Sequence, residues 1–345
     1  MANAKSVRIS NDGVNFVELP GSTADISSDS ASVDDSVFGS TFTSSQPTLI
    51  TWNTSSNGFF KGFPGYRATL KRTGTSTPVD DAATTEIDGM YFITDRAKSV
   101  LNKDTAIFVN DAGSPVEDAD IDYIDYLQGG VKFVDTYTPT GDITITGEYL
   151  PTSAICKVQT FDLSQTAETE NVTDICQAQD NGGYGVFSYQ RQSVELSVEG
   201  FYSDDSDFLS DLLSREQVII EINPDGEDKS VARGFFRASS HSQSGDSGST
   251  ETESASYELS VPEGVTYPFS WYHSADSSIP EAIRMVLDAW AGRQTLTLEY
   301  RAENSGVVKT GEVLIDDCSL SSGVEDINEF SFGLQGSGAL TSTTV

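Results

Sequence analysis

The sequence predicts a mainly β protein of the α+β class, in which a barrel-forming β-sandwich unit with one packed helix occurs twice around a small inserted β domain. Three observations predict it. Ser, Thr, Gly, Phe and Tyr are abundant and charged residues make up only 21%, a balance that suits strands and turns better than helical bundles. Short runs alternate apolar and polar residues with the period of a sheet that buries one face. Residues 193–262 and 265–338 also show the same order of elements.

The copy at 193–262 is predicted as strand Ser193–Tyr202, helix Asp207–Ser214, strand Gln217–Asn223, turn Pro224-Asp225-Gly226, strand Ser230–Ser239, a polar loop and strand Ser256–Val261. The other follows with helix Pro280–Trp290, strand Thr295–Arg301, turn Glu303–Gly306, strand Lys309–Leu320 and strand Glu329–Gln335. Ile279, Ile283, Val286, Leu287 and Trp290 share one face of its helix, so that helix should lie on a sheet. Ser278 and Glu281 fit a capping box at its start. Phe208, Leu209, Leu212 and Leu213 form the matching stripe, with Asp204 and Asp205 ahead of it near the positive helix end. Phe208, Leu212, Ile283, Leu287 and Trp290 are the expected helix–sheet core.

The copy at 265–338 lacks its opening strands, and the N-terminal region supplies them. Val33-Asp34-Asp35 through Phe38, Ser44-Ser45-Gln46 and Leu49–Phe60, ending Asn57-Gly58-Phe59-Phe60, match Val172-Thr173-Asp174 through Phe187 and Val194–Tyr202, ending Glu199-Gly200-Phe201-Tyr202. The expected organisation is a discontinuous domain of residues 1–75 and 265–345, with its duplicate at 151–264 nested inside. Residues 76–150 fit neither copy and are predicted as a small β domain, with strands at Met90–Thr94, Ala106–Val109, Ile121–Leu127, Gly130–Val134 and Thr144–Leu150. Its acids Asp104, Asp111, Glu117, Asp118, Asp120, Asp122 and Asp125 lack the order of a calcium-binding loop and are expected to form a solvated face.

Twenty Lys and Arg face 53 Asp and Glu, a formal net charge of -33, which argues against a surface that grips nucleic acid through its phosphates. Cys156, Cys176 and Cys318 show no metal-site spacing and are expected to be small buried hydrophobes. His241 and His273 are too few for a histidine-based metal site or triad, so no catalytic, cofactor-binding or metal-binding residue is predicted, and no enzyme. Asp122 with Asp125 and Asp316 with Asp317 are acid–base candidates by residue type alone. No secretory leader or membrane span is expected.

Two stretches resemble the major tail tube proteins of long, flexible-tailed viruses, in the subgroup whose single chain carries two copies of the tube fold. One is Val33-Asp34-Asp35-Ser36-Val37-Phe38-Gly39 with Ser44-Ser45-Gln46-Pro47-Thr48 and Asn57-Gly58-Phe59-Phe60-Lys61-Gly62. The other is the strand–helix–strand–strand–strand order of both copies, closing on Phe330-Ser331-Phe332-Gly333-Leu334-Gln335-Gly336-Ser337-Gly338. The resemblance covers most of the chain outside 76–150. It implies a homotrimeric, pseudo-hexameric ring and stacked rings forming a tail tube. Such a tube is a conduit for double-stranded DNA during ejection, with the tape-measure protein and other tail proteins as partners. It also implies location in the virion tail after assembly in the host cytoplasm, with no cofactor and no membrane.

In such a tube the inner strands face the channel with their polar side. Val194, Leu196 and Val198 alternate with Glu195, Ser197 and Glu199; Tyr257 and Leu259 flank Glu258; and Phe330, Phe332 and Leu334 alternate with Glu329, Ser331 and Gln335. Glu195, Glu199, Glu258, Glu329 and Gln335 are therefore the expected lumen-facing residues, giving passing DNA walls of its own sign. The polar segments Ile26–Pro47, Cys176–Gln192 and Ser242–Ser254 are expected to order when rings stack. Alternative expectations are a distal tail or tube-terminating protein, and a β-rich adhesin or carbohydrate-binding module stacking sugars on Trp52, Trp271 and Trp290.

Overall fold

A computed structural model of the protein describes residues 6–21, 23–34, 45–155, 157–202, 207–246, 250–277, 279–302 and 306–344. Of the features above, Asp35 through Ser44, Cys156, Asp204, Asp205, Ser278 and Glu303 lie outside the described residues. The chain opens with strands β1 (Ser6–Ser10), β2 (Val17–Glu18), β3 (Thr23–Asp34), β4 (Ser45–Pro64) and β5 (Thr69–Thr73). Strands β6 (Thr77–Ile87), β7 (Met90–Ile93), β8 (Phe108–Asp111), β9 (Ser114–Pro115), β10 (Ile121–Asp125), β11 (Gly130–Phe133) and β12 (Ile143–Tyr149) follow. They form a separate 7-stranded sheet in the order β10-β11-β7-β6-β12-β8-β9. Ile93, Leu101, Val109, Val131, Ile143 and Ile145 give this sheet a core of its own.

The chain then returns to the first sheet with β13 (Thr152–Ala154), β14 (Val158–Asn171), helix α1 (Ile175–Asp180), β15 (Phe187–Phe201), helix α2 (Phe208–Ser214), β16 (Val218–Asn223), β17 (Ser230–Ser244) and β18 (Thr252–Leu259). It ends with β19 (Phe269–His273), helix α3 (Glu281–Gly292), β20 (Leu296–Arg301), β21 (Val307–Gly323) and β22 (Ile327–Thr344). The resulting antiparallel sheet has 15 strands and curls into a half-barrel.

One strand order recurs within the large sheet. One unit runs β3-β4-β22-β21-β20 and the other β14-β15-β18-β17-β16, each with its helix entering the last of these strands in space. Both helices stop the same way, on an arginine with left-handed backbone, Arg215 at φ 58 and Arg293 at φ 53. Both long hairpins carry a bulge at the same point, between Ala238 and Ser240 in β17 and between Ile315 and Asp317 in β21. The paired glycines Gly58 and Gly200 are also equivalent. A Cβ at Gly58 would sit 2.6 Å from the Pro20 carbonyl oxygen, and one at Gly200 2.3 Å from the Lys157 carbonyl oxygen. Each strand thus needs glycine where another backbone crosses it.

One apolar core serves both units, drawing Leu163, Leu196 and Tyr257 from one and Trp52, Leu298, Leu320 and Phe332 from the other. Helix α3 lays Ile283, Val286, Leu287 and Trp290 into it, and Trp290 meets Phe269 edge-on at 6.2 Å. Helix α2 behaves differently from its predicted stripe. Phe208 is buried and Leu212 half-buried, but Leu209 and Leu213 are 49% and 72% exposed because the buried inward position between them belongs to Asp211.

Other local expectations are corrected. Pro280 occupies the N-cap of α3 with no side-chain cap, where proline fixes φ and has no N–H to satisfy; the Ser278 half of the expected capping box lies outside the described residues. The polar stretch beginning at Ile26 lies in β3 as far as Asp34. The stretch from Cys176 contains α1 and the start of β15. Helix α1 starts with a true capping box, Gln177 N–H donating to Asp174 at 2.7 Å and Asp174 N–H to the Gln177 side chain at 3.0 Å. Cys176 on that helix is exposed, whereas Cys318 is buried.

Candidate assembly surface

Register across the long strands builds one continuous face. Starting at β17, the residues directly opposite one another are Arg237, Glu258, Glu195, Ser164, Ser319, Ser331, Asn57 and Thr23. That row crosses β17-β18-β15-β14-β21-β22-β4-β3 and therefore both units. The parallel row through Ser197 holds Ser256, Asp162, Ser321 and Glu329. Because strand side chains alternate, the positions between these rows point the other way and are buried: Leu196, Leu163, Leu320, Phe330 and Tyr257. The face is thus polar on one side and sealed by a hydrophobic layer on the other.

Hydroxyl and amide groups on this face pair across strands. Ser319 and Ser331 hydroxyls lie 2.5 Å apart, Thr166 and Ser193 2.6 Å, and Ser242 and Ser254 2.8 Å, while Thr23 donates to Asn57 at 3.1 Å. Such pairs satisfy short polar side chains locally and leave no long flexible group projecting. The charges on it are mainly negative: Glu195, Glu199, Glu258, Asp162 and Glu329, with Arg237 at one edge.

Glu195, Glu199 and Glu258 are exposed, and Glu195 stands opposite Glu258, a like-charge pair. Glu329 is half-buried opposite Ser321. Gln335 is half-buried, and its side-chain amide donates to the Trp52 carbonyl at 3.1 Å and the Gly336 carbonyl at 3.0 Å. Phe208, Ile283, Leu287 and Trp290 lie in the buried layer behind this face, with Leu212 at its margin.

The join between the units is itself a sheet seam. β14 pairs with β21 from Thr160 opposite Gly323 to Thr166 opposite Asp317. The end of α3 fastens to β15 nearby: the Gln192 side chain donates to the Trp290 carbonyl and accepts from Arg293 Nε at 3.0 Å. Tyr189 hydroxyl donates to the Gln294 carbonyl at 3.2 Å and accepts from Ile315 N–H at 2.6 Å. Burial pushes the Tyr189 phenol up to about 12, so it keeps its proton and both bonds.

Other predicted candidates do not converge with this face. Trp52, Trp271 and Trp290 are all buried, Trp52 Nε1 donating to the Gly338 carbonyl at 3.0 Å and Trp271 Nε1 to Gln165 Oε1 at 3.0 Å, so none offers a sugar-stacking platform. Buried Asp125 accepts from the Leu127 and Gln128 N–H groups at 2.9 and 3.0 Å, a turn-holding role, while Asp122 is exposed on the opposite side of β10. Asp316 sits in the β21 bulge beside Asp317; burial raises both carboxyl pKa values, and the neighbouring charge of Asp317 raises that of Asp316 further. Asp111 is locked by Tyr137, Thr140 and Gly141, whose hydrogen bonds hold its carboxyl below the usual range. Among the described residues no three His, Cys, Asp or Glu side chains gather as a metal set.

Sequence patterns did not reveal the buried cluster joining the 7-stranded sheet to β16 and β17. Arg233 and Glu221 meet there, with Arg233 Nη2 2.6 Å from Glu221 Oε2. Arg233 Nη1 also donates to Ser99 Oγ at 2.7 Å and the Leu127 carbonyl at 2.8 Å.

No protein-family model matches the chain, and no curated protein matches it. Among solved structures it is similar to the tail of an empty gene transfer agent particle refined with C6 symmetry, at 18% identity and TM-score 0.29 over 32% of this chain and 84% of that one. It is also similar to a chain of the virion of a native gene transfer agent particle, at 19% identity and TM-score 0.28 over 32% of this chain and 85% of the other.

Proposed function

We propose that this chain is a structural virion protein that assembles into the tail tube of a long-tailed virus, and that it has no catalytic role. The observation that carries this is the eight-strand polar row from Arg237 to Thr23, continuous over both units and backed by a sealed apolar layer. A surface of short, mutually bonded hydroxyls with carboxylates suits the wall of a bore through which double-stranded DNA slides, since it presents few phosphate-pairing cations. Glu195, Glu199, Glu258, Glu329 and Gln335 would line that bore.

With two units per chain, three chains make a ring of six, and stacked rings make the tube. The tape-measure protein and other tail proteins are its proposed partners, and the virion tail its location after assembly in the host cytoplasm. The discontinuous unit 1–75 with 265–345 and its duplicate 151–264 would each take one sixth of the ring, leaving the domain 76–150 to project from it. Electron microscopy of the purified protein across a salt series tests this. Hollow rings or tubes of threefold or sixfold outline are expected; single closed rings at every condition favour a tube-terminating protein, and dispersed monomers throughout overturn the proposal.

A further inference from the structure

The chain contains one finished seam between units and the two halves of a second. In the finished seam Leu163, Ser164 and Gln165 of β14 stand opposite Leu320, Ser319 and Cys318 of β21. Hairpin register identifies their counterparts in the other unit. Leu163 faces Leu196 in β15 as Ile26 faces Thr54 in β4, so β3 takes the place of β14. Ser319 faces Ser331 beyond the β21 bulge as Ser242 faces Ser254 beyond the β17 bulge, so the end of β17 takes the place of β21.

Both counterparts have an open edge. Among the described residues β3 pairs with β4 alone, and Arg237–Ser244 of β17 with β18 alone. An open strand edge is a template for another strand. The side chains fit the free state too. Where the closed seam buries Cys318 and Leu320, the open edge has His241 and Gln243, and where β22 buries Phe330, β18 has Glu253. His241 Nε2 lies 3.5 Å from Glu253 Oε2. Polar groups at these inward positions keep an unpaired edge from indiscriminate pairing. Ile26, half-buried at the β3 edge, still needs a cover that Leu163 already has.

We propose that the β3 edge of one chain adds antiparallel to the Arg237–Ser244 edge of a second copy. Ile26 then stands opposite Gln243, Ser27 opposite Ser242 and Ser28 opposite His241, the register of the β14–β21 seam transposed between molecules. This rests on the self-assembly proposed above and names the strands and register that accomplish it. Repetition of that contact places every β3 and β17 edge in a pair, and carries the polar face from Ser27 of one chain to Ser242 of the next.

Cysteine pairing tests the register. In a background with Cys156 and Cys176 replaced by serine, the single variants Ser27→Cys and Ser242→Cys are mixed under assembling conditions and oxidised. Non-reducing electrophoresis should show about tenfold more covalent dimer than a Ser27→Cys and Ser240→Cys mixture, because a disulfide requires Cα atoms within roughly 7 Å. Sedimentation of the same samples reports assembly. Assemblies that cross-link equally or better through Ser240→Cys, or not at all, overturn this edge pairing while self-assembly stands. Variants and parent that all remain monomeric overturn both.

Discussion

Replacing Arg233 by methionine should detach the 7-stranded sheet from the rest of the molecule before either part unfolds. Arg233 and Glu221 stand opposite each other on β17 and β16, their side chains 2% and 1% exposed. Arg233 Nε and Nη2 both reach Glu221 Oε2, at 2.7 and 2.6 Å, while Nη1 binds Ser99 and the Leu127 carbonyl across the boundary. Methionine preserves much of the volume and removes all of these bonds. Breaking a buried pair from one side costs about 3–5 kcal/mol, because the remaining charge stays buried without its partner. Lys71 Nζ, 2.7 Å from Glu221 Oε1, retains part of the compensation, which places the expected loss near the lower limit, about 3 kcal/mol.

Denaturant titration combined with hydrogen exchange measures this directly. Two cores make a single transition an unsafe assumption, so exchange is followed separately in the two sheets. Protection of β7 and β11 should fall more than that of β14 and β15. The double variant Glu221→Gln with Arg233→Met should recover about half the loss, since no unpaired carboxylate remains. A single variant within about 1 kcal/mol of the parent, or a double variant no better than the single, would refute this account of the joint.

Three further outcomes are expected. Glu195→Gln should raise stability by about 0.5 kcal/mol in a denaturation midpoint by removing the like-charge pair with Glu258; a decrease would show that the two carboxylates are not neighbours as the register places them. His273 is held down to about 3, first by burial and then by Arg284, whereas an unfolded histidine takes its proton near 6.5. The unfolded chain therefore binds more protons between those values, stability falls as pH falls through that window, and His273→Asn should flatten the slope by up to about 3 kcal/mol at pH 4; an unchanged slope would contradict it. Finally, the net charge of -33 should make assembly faster as salt rises, followed by light scattering, and slower assembly in salt would count against repulsion as its brake.

Much of the sheet was legible because its physics is local. Alternation in Val194, Leu196 and Val198 marks β15 whatever lies beside it, and the stripe from Ile283 to Trp290 marks α3. Some local signals were present but unread. Asp88-Gly89, with φ 52 and 78, turns β6 into β7 as a two-residue hairpin, and Asp174 with Gln177 announces α1. The remainder is long-range. Nothing near Arg233 in the chain tells that its partners are Ser99, Leu127 and Glu221, and a strand charge ordinarily reads as outward-facing. Likewise Leu209 and Leu213 carry helical spacing, but Asp211 turns inward to Tyr257 at 3.0 Å and Arg72 at 2.5 Å, rotating the stripe into solvent. The polar face sits between these cases: each strand's alternation was visible, while the register that aligns Glu195 with Ser164, Ser319 and Asn57 required the fold.

The most direct measurement is a cryo-electron microscopy reconstruction of the assembled protein, resolved well enough to trace strands. The expected result is a ring in which the two units alternate around six positions, with Glu195, Ser164, Ser319 and Asn57 on the inner wall. A particle that carries those side chains on its outer surface, or whose two units do not alternate around a common axis, would contradict it.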